Sequence, residues 1–91
     1  MGITDGNKKV MDRQVFAMDQ VIFREGKHGS AAFVVQEGKV EIFKTINGDE
    51  EVVLGTIEEG GLFGELALVD NQPRMASARA TERTVLIAIS R

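Results

Sequence analysis

The chain has 91 residues, which suits one domain with one hydrophobic core and leaves no room for a second. Fourteen acidic residues against eleven basic ones give a net charge of -3, which argues against a sequence-independent nucleic-acid coat, because a phosphate backbone needs a basic face. There is no cysteine and His28 is the only histidine, so disulfides, thiolate zinc sites, iron–sulfur clusters, cysteine nucleophiles and multi-histidine metal centres are excluded within one chain.

No apolar stretch approaches the ~18 residues of a membrane span. The start, Met1-Gly2-Ile3-Thr4-Asp5-Gly6, lacks the apolar core of a secretory signal. Gly6 also stands where a myristoylation pattern takes Ser or Thr. The expectation is a cytoplasmic domain that does not insert into a membrane. Residues 1–12 read as a loosely ordered lead-in, with one weak helical turn at Lys8–Met11. Residues 13–91 read as the folded domain.

From Arg13 onward, short apolar runs alternate with glycines. Val15-Phe16-Ala17-Met18 and Val21-Ile22-Phe23 are too short for helices and rich in residues that favour strands. A turn over Arg24–Ser30 carries Gly26 and Gly29, and Ala32–Gln36 follows as a strand. Lys39–Lys44 alternates charged and apolar side chains at period two, the mark of a half-buried strand. Asn47-Gly48 is a hairpin signal, so Lys39–Thr45 and Glu51–Ile57 are expected to pair antiparallel. Asp49-Glu50-Glu51 reads as a solvated tip, and Glu58–Gly61 as a second turn. Thr84–Ser90 reads as a buried strand. Six or more short strands at turn spacing argue for a mainly β fold of sandwich or roll type.

The period changes between Gly60 and Ala80. Gly64-Glu65-Leu66-Ala67-Leu68 has the composition of one helical turn, and Asp70-Asn71-Gln72-Pro73 is a loop that ends at Arg74. Loops that interrupt a rigid scaffold are where ligands tend to sit. The start of a helix leaves backbone N–H groups unpaired, Gly64 lets a ligand approach them, and an arginine adds a forked contact to phosphate. Glu65 would repel a phosphate but would accept from a neighbouring sugar hydroxyl. A common Gly-Glu-Leu turn beside an unrelated arginine remains open as the plain alternative.

The combination of stretches is more specific. Val21-Ile22-Phe23-Arg24-Glu25-Gly26, Gly29, Phe33-Val34-Val35 and Gly38-Lys39-Val40 form one matching set. Phe63-Gly64-Glu65-Leu66-Ala67-Leu68 followed by Pro73-Arg74-Met75-Ala76-Ser77 forms the other. Together they resemble the cyclic nucleotide-binding domain family, over roughly Arg13 to Ser90. That family includes regulatory subunits of cAMP-dependent kinase, catabolite activators and cyclic-nucleotide-gated channels. The resemblance implies an antiparallel β-roll, a jelly-roll-like double-stranded β-helix, with a short helix in its phosphate-binding cassette.

By the same resemblance, Arg74 pairs with the cyclic phosphate and Glu65 accepts from the ribose 2′-OH. Gly64, Leu66 and Ala67 offer backbone groups, and Met75 and Ala76 complete the cradle. The ligand is cAMP, or else cGMP, and no cofactor is expected. Met75 stands where some members carry Ser or Thr, which tilts the expectation toward cAMP. Gly26, Gly29, Gly38 and Gly60 match structural glycines without ligand chemistry.

The family's two C-terminal lid helices would begin near Arg91, so the 91-residue form is expected to bind weakly and to separate cAMP poorly from cGMP. The effector domain or partner is unassigned, and a homo-oligomer is compatible. No nucleophile–base–orienter set is visible, so the expected role is a non-catalytic sensor module. The alternative is a protein-interaction module with an unoccupied pocket. A cupin-like enzyme is opposed by the single histidine, and a haem sensor would rest on His28 alone. The five phenylalanines read as core, and Arg79 and Arg83 as exposed strand-end charges.

Overall fold

A computed structural model of the chain describes residues 10–69 and 72–90. Eight strands run in the order β1 (Val10–Phe16), β2 (Val21–Phe23), β3 (Ala31–Glu37), β4 (Val40–Ile46), β5 (Glu50–Ile57), β6 (Leu62–Phe63), β7 (Ser77–Ala80) and β8 (Thr84–Ser90). They form two four-stranded antiparallel sheets, β1-β8-β3-β6 and β2-β7-β4-β5. One short 3-10 turn, Glu65–Leu68, interrupts them. This is the β-roll that the sequence implied.

The core lies between the sheets. Phe33, Val35, Val40, Phe63, Ala78, Leu86 and Ala88 are buried together, and Phe16, Ile22, Phe23 and Ile42 pack against them. β8 is flanked by β1 and β3, which explains its nearly continuous apolar run. In β4 the alternation slips at Ile42-Phe43. There Ile42 faces Gly55 and Phe43 faces Val53, so Leu54 is the extra residue of a bulge.

The hairpin signal is realised. Asn47 and Gly48 both have positive φ, at 51° and 90°, and a three-residue loop joins Ile46 to its partner Glu50.

Several local readings change. The first strand runs over Val10–Phe16 rather than Val15–Met18. Val10 and Met11 pair with Ser90 and Ile89, so their part of the expected helical turn is strand; Lys8 and Lys9 lie outside the described residues. Ala17–Gln20 is a turn in which the Ala17 amide donates to Gln20 Oε1 at 2.9 Å. Strand β6 was not anticipated, because two residues carry no period. Its identity comes from pairing, Phe33 with Phe63 and Val34 with Leu62.

Candidate functional site

The expected site residues converge on one cavity of about 260 Å³, just below the ~300–1,000 Å³ range of small-molecule pockets. Gly64, Glu65, Leu66, Ala67, Arg74, Met75 and Ala76 all line it. So do Phe23, Ile42, Phe63, Gln72 and Pro73, which sequence reasoning had not placed there. Ala67 is buried, whereas Glu65, Leu66 and Met75 are exposed at the rim.

The floor is set by Gly64. Its φ of 73° and ψ of 16° are left-handed, which turns the chain out of β6 and into the 3-10 turn. The first bond of that turn runs from the Ala67 amide to the Gly64 carbonyl at 3.2 Å. The amides of Glu65 and Leu66 therefore precede the ladder. A single 3-10 turn carries little macrodipole, so the helix-dipole part of the sequence argument has less weight than the arginine.

Arg74 is held at both ends. Its amide donates to the Lys27 carbonyl and its carbonyl accepts from the Gly26 amide, each at 2.8 Å. The loop between β2 and β3 thus clamps the backbone of the cassette. Its guanidinium donates from Nη2 to the Ala31 carbonyl at 2.8 Å and from Nη1 to the Gly64 carbonyl at 3.3 Å. The guanidinium carbon lies 4.1 Å from the centre of the Phe23 ring and 5.9 Å from that of Phe33.

Two features of this arginine stand out chemically. Nε is buried and has no hydrogen-bond partner. No carboxylate pairs with the guanidinium among the described residues. Burial without a counter-charge pulls its pKa below the ordinary arginine value. Glu65 does not supply the counter-charge: it is exposed and in no ion pair among the described residues. The guanidinium is therefore without a counter-charge among the described residues.

Gly29 has a more direct part than the structural one assigned to it. A Cβ there would come within 2.6 Å of Arg74 Nη2, so the guanidinium occupies the space that a side chain would take. Arg79 also departs from expectation. It is not a free strand-end charge: its Nη2 lies 2.6 Å from Glu41 and 3.0 Å from Glu51, and it stacks on Phe43. Glu51 stays exposed, as the tip reading expects, but its carboxylate pairs with Arg79. Arg83 is exposed as expected, 3.8 Å from Glu37. His28 is exposed and does not line the cavity.

The missed residues reach the cavity by long-range pairing. Phe23 comes from β2 beside Ala78 of β7, and Phe63 from β6 beside Phe33. Both phenylalanines lie inside the stretches that carry the resemblance, Val21–Gly26 and Phe63–Leu68, but were read there as core rather than as cavity lining.

Comparison with known proteins agrees with this geometry. The pattern of the family described as cyclic nucleotide-binding domain matches residues 13–91. The cyclic AMP receptor protein of Thermus thermophilus is 40% identical over 79 residues, which cover 87% of this chain and 37% of that protein. A cAMP-dependent protein kinase regulatory subunit of Blastocladiella emersonii is 38% identical over 88 residues, covering 97% of this chain and 22% of the relative. The cAMP-bound form of the EAL enzyme Bd1971 superposes with a TM-score of 0.82 at 40% identity, over 87% of this chain and 21% of that one. The chain thus spans well under half the length of these relatives.

Proposed function

The chain belongs to the cyclic nucleotide-binding domain family, and we propose that its cavity binds a cyclic nucleotide, cAMP before cGMP, as a regulatory module without catalysis of its own. The observation that carries this reading is Arg74, a half-buried guanidinium with a buried, unpartnered Nε and no carboxylate among the described residues. A cyclic phosphate is a single negative charge with forked acceptor oxygens. It would take the Nε–H and the terminal N–H groups that Ala31 and Gly64 leave unused. Only a ligand anion relieves the cost of keeping that cation out of water.

The other residues divide the remaining work. The Glu65 and Leu66 amides flank the phosphate position, and the Glu65 carboxylate accepts from the ribose 2′-OH. The apolar sides of Leu66 and Met75 meet the sugar and base. Met75 offers no hydroxyl to a guanine, which supports cAMP. An interaction module with an empty pocket has no reason to retain such an arginine. The reading needs no cofactor beyond the diffusible ligand, and it fits a cytoplasmic location. Among the described residues no helix is long and apolar enough to cross a membrane.

The test is isothermal titration of the chain with cAMP, cGMP and 5′-AMP. One-to-one binding of cAMP, with 5′-AMP weaker, is expected, because the second negative charge of 5′-AMP would be desolvated with no cation to pair it. No heat with either cyclic nucleotide at millimolar concentration would overturn the assignment.

A further inference from the structure

An arginine that waits for a ligand poses a mechanical problem. A long side chain with a strongly solvated head leaves a half-buried site for water unless something holds it. The common solution is a carboxylate partner. A carboxylate, however, neutralises the charge and competes with the incoming phosphate. No carboxylate pairs with Arg74 among the described residues, and its two backbone acceptors leave Nε unsatisfied.

Phe23 resolves the problem. Its ring lies 4.1 Å from the guanidinium carbon and itself lines the cavity. The ring is fixed from behind, with the Phe33 and Phe63 rings each 6.0 Å away. Packed against these two rings, it serves the guanidinium as a seat. The negative face of an aromatic ring attracts a cation without cancelling its charge and without taking any of its N–H donors.

We propose that Phe23 is the positioning residue that presents Arg74 to the ligand anion, holding the guanidinium in the cavity by its ring face. The inference rests on the cyclic nucleotide reading above and adds a residue to it. The ring raises affinity by pre-organisation: without it, the arginine samples solvent, and the apparent dissociation constant rises by the inverse of the fraction still seated. Phe23 touches Arg74 and not the phosphate, so the effect is transmitted through the arginine.

The experiment compares Phe23→Leu, which keeps apolar bulk, with Phe23→Tyr, which keeps the ring. cAMP affinity is measured by calorimetry, and the Arg74 Nε–H resonance is followed by NMR in ligand-free protein. The expected result is a loss of roughly threefold to thirtyfold for Phe23→Leu, the scale of a cation–ring contact. Phe23→Tyr should stay within about twofold of the parent on that same scale. In ligand-free Phe23→Leu the Nε–H should exchange faster with water. A merely structural phenylalanine would lower the melting temperature without speeding that exchange. Equal affinity of Phe23→Leu and parent, or equal losses in both variants, overturns the proposal. If Phe23→Leu does not fold, Phe23→Met takes its place. If the parent binds no cyclic nucleotide, the functional reading fails, and the Nε–H signal alone decides the seat.

Discussion

Arg74 and Arg79 stand five residues apart and have the same aromatic seat, 4.1 Å from Phe23 for one and 4.2 Å from Phe43 for the other. Their electrostatic surroundings are opposite. Arg79 bridges Glu51 and Glu41, and hydrogen bonds to those two carboxylates push its pKa up. Arg74 meets two carbonyls and no carboxylate among the described residues, and burial pushes its pKa down. One cation is complete within the fold. The other has no counter-charge among the described residues. Aromatic stacking is common to both, so the counter-charge is what separates the two, and on the proposed function it separates a binding arginine from a structural one.

The sharpest way to break this contrast is to remove the incomplete arginine. Arg74→Ala should weaken cAMP binding by ~2–5 kcal/mol, well beyond tenfold, as expected for truncating one partner of a buried charged contact. Arg74→Lys should recover little, because an ammonium lacks the planar fork. The fold should lose less than this, since the desolvation of the guanidinium offsets its hydrogen bonds to the Ala31 and Gly64 carbonyls. Calorimetry and thermal melting on the same samples check both halves. An Arg74→Ala protein that binds like the parent would remove Arg74 from the site.

A smaller effect is expected from crowding the same guanidinium without changing it. A Cβ at Gly29 would approach Arg74 Nη2 to 2.6 Å, and the atom it meets is the far end of a flexible side chain. Gly29→Ala should therefore fold normally and displace the guanidinium, weakening cAMP by about tenfold, the order of one lost charged hydrogen bond at ~1.5–3 kcal/mol. Gly64→Ala differs. Its Cβ would lie 2.8 Å from Nη1 and its φ is +73°, so stability should fall together with affinity. Equal melting losses at the two glycines would show that Gly29 is structural after all.

Glu65 gives the next test in size. It is exposed and in no ion pair among the described residues, so removing its charge leaves the fold untouched. Glu65→Gln should weaken cAMP by about 1 kcal/mol, the net worth of a partly solvated hydrogen bond, and leave 2′-deoxy-cAMP unaffected. Equal losses for both ligands would remove the ribose assignment.

Much of this arrangement was legible in the sequence, for local reasons. Alternation in β4, the apolar run of β8 and the positive-φ pair Asn47-Gly48 are all written within a few residues. Gly64–Ala67 and Gln72–Ala76 are close in the chain, so they reach one cavity together. What stayed hidden depends on register between distant strands. Phe23 reaches the site because β2 pairs with β7. Gly29 acts through space on a side chain 45 positions away, which no spacing rule encodes. Arg79 read as a free charge because its partner Glu41 lies directly across the β4–β7 pair.

The last prediction concerns that completed arginine, and it expects no change in ligand affinity. Arg79→Met keeps apolar contact with Phe43 and removes both ion pairs. Glu41 is partly buried, with 24% of its side chain exposed, and Glu51 more open at 43%. Each partly solvated pair is worth at most ~1 kcal/mol. The ring contact adds ~0.5–1 kcal/mol, partly retained by methionine's sulfur. The loss should therefore be about 1–2 kcal/mol of stability, a fall of roughly 4–16 °C in melting temperature for a domain of this size. It should shrink as salt is raised, because the pairs face solvent. cAMP affinity should stay within about twofold, on the scale of 0.4 kcal/mol. If Arg79→Met weakened cAMP as strongly as Gly29→Ala, the two arginines would be coupled along β7, and a complete counter-charge would no longer mark a residue as structural.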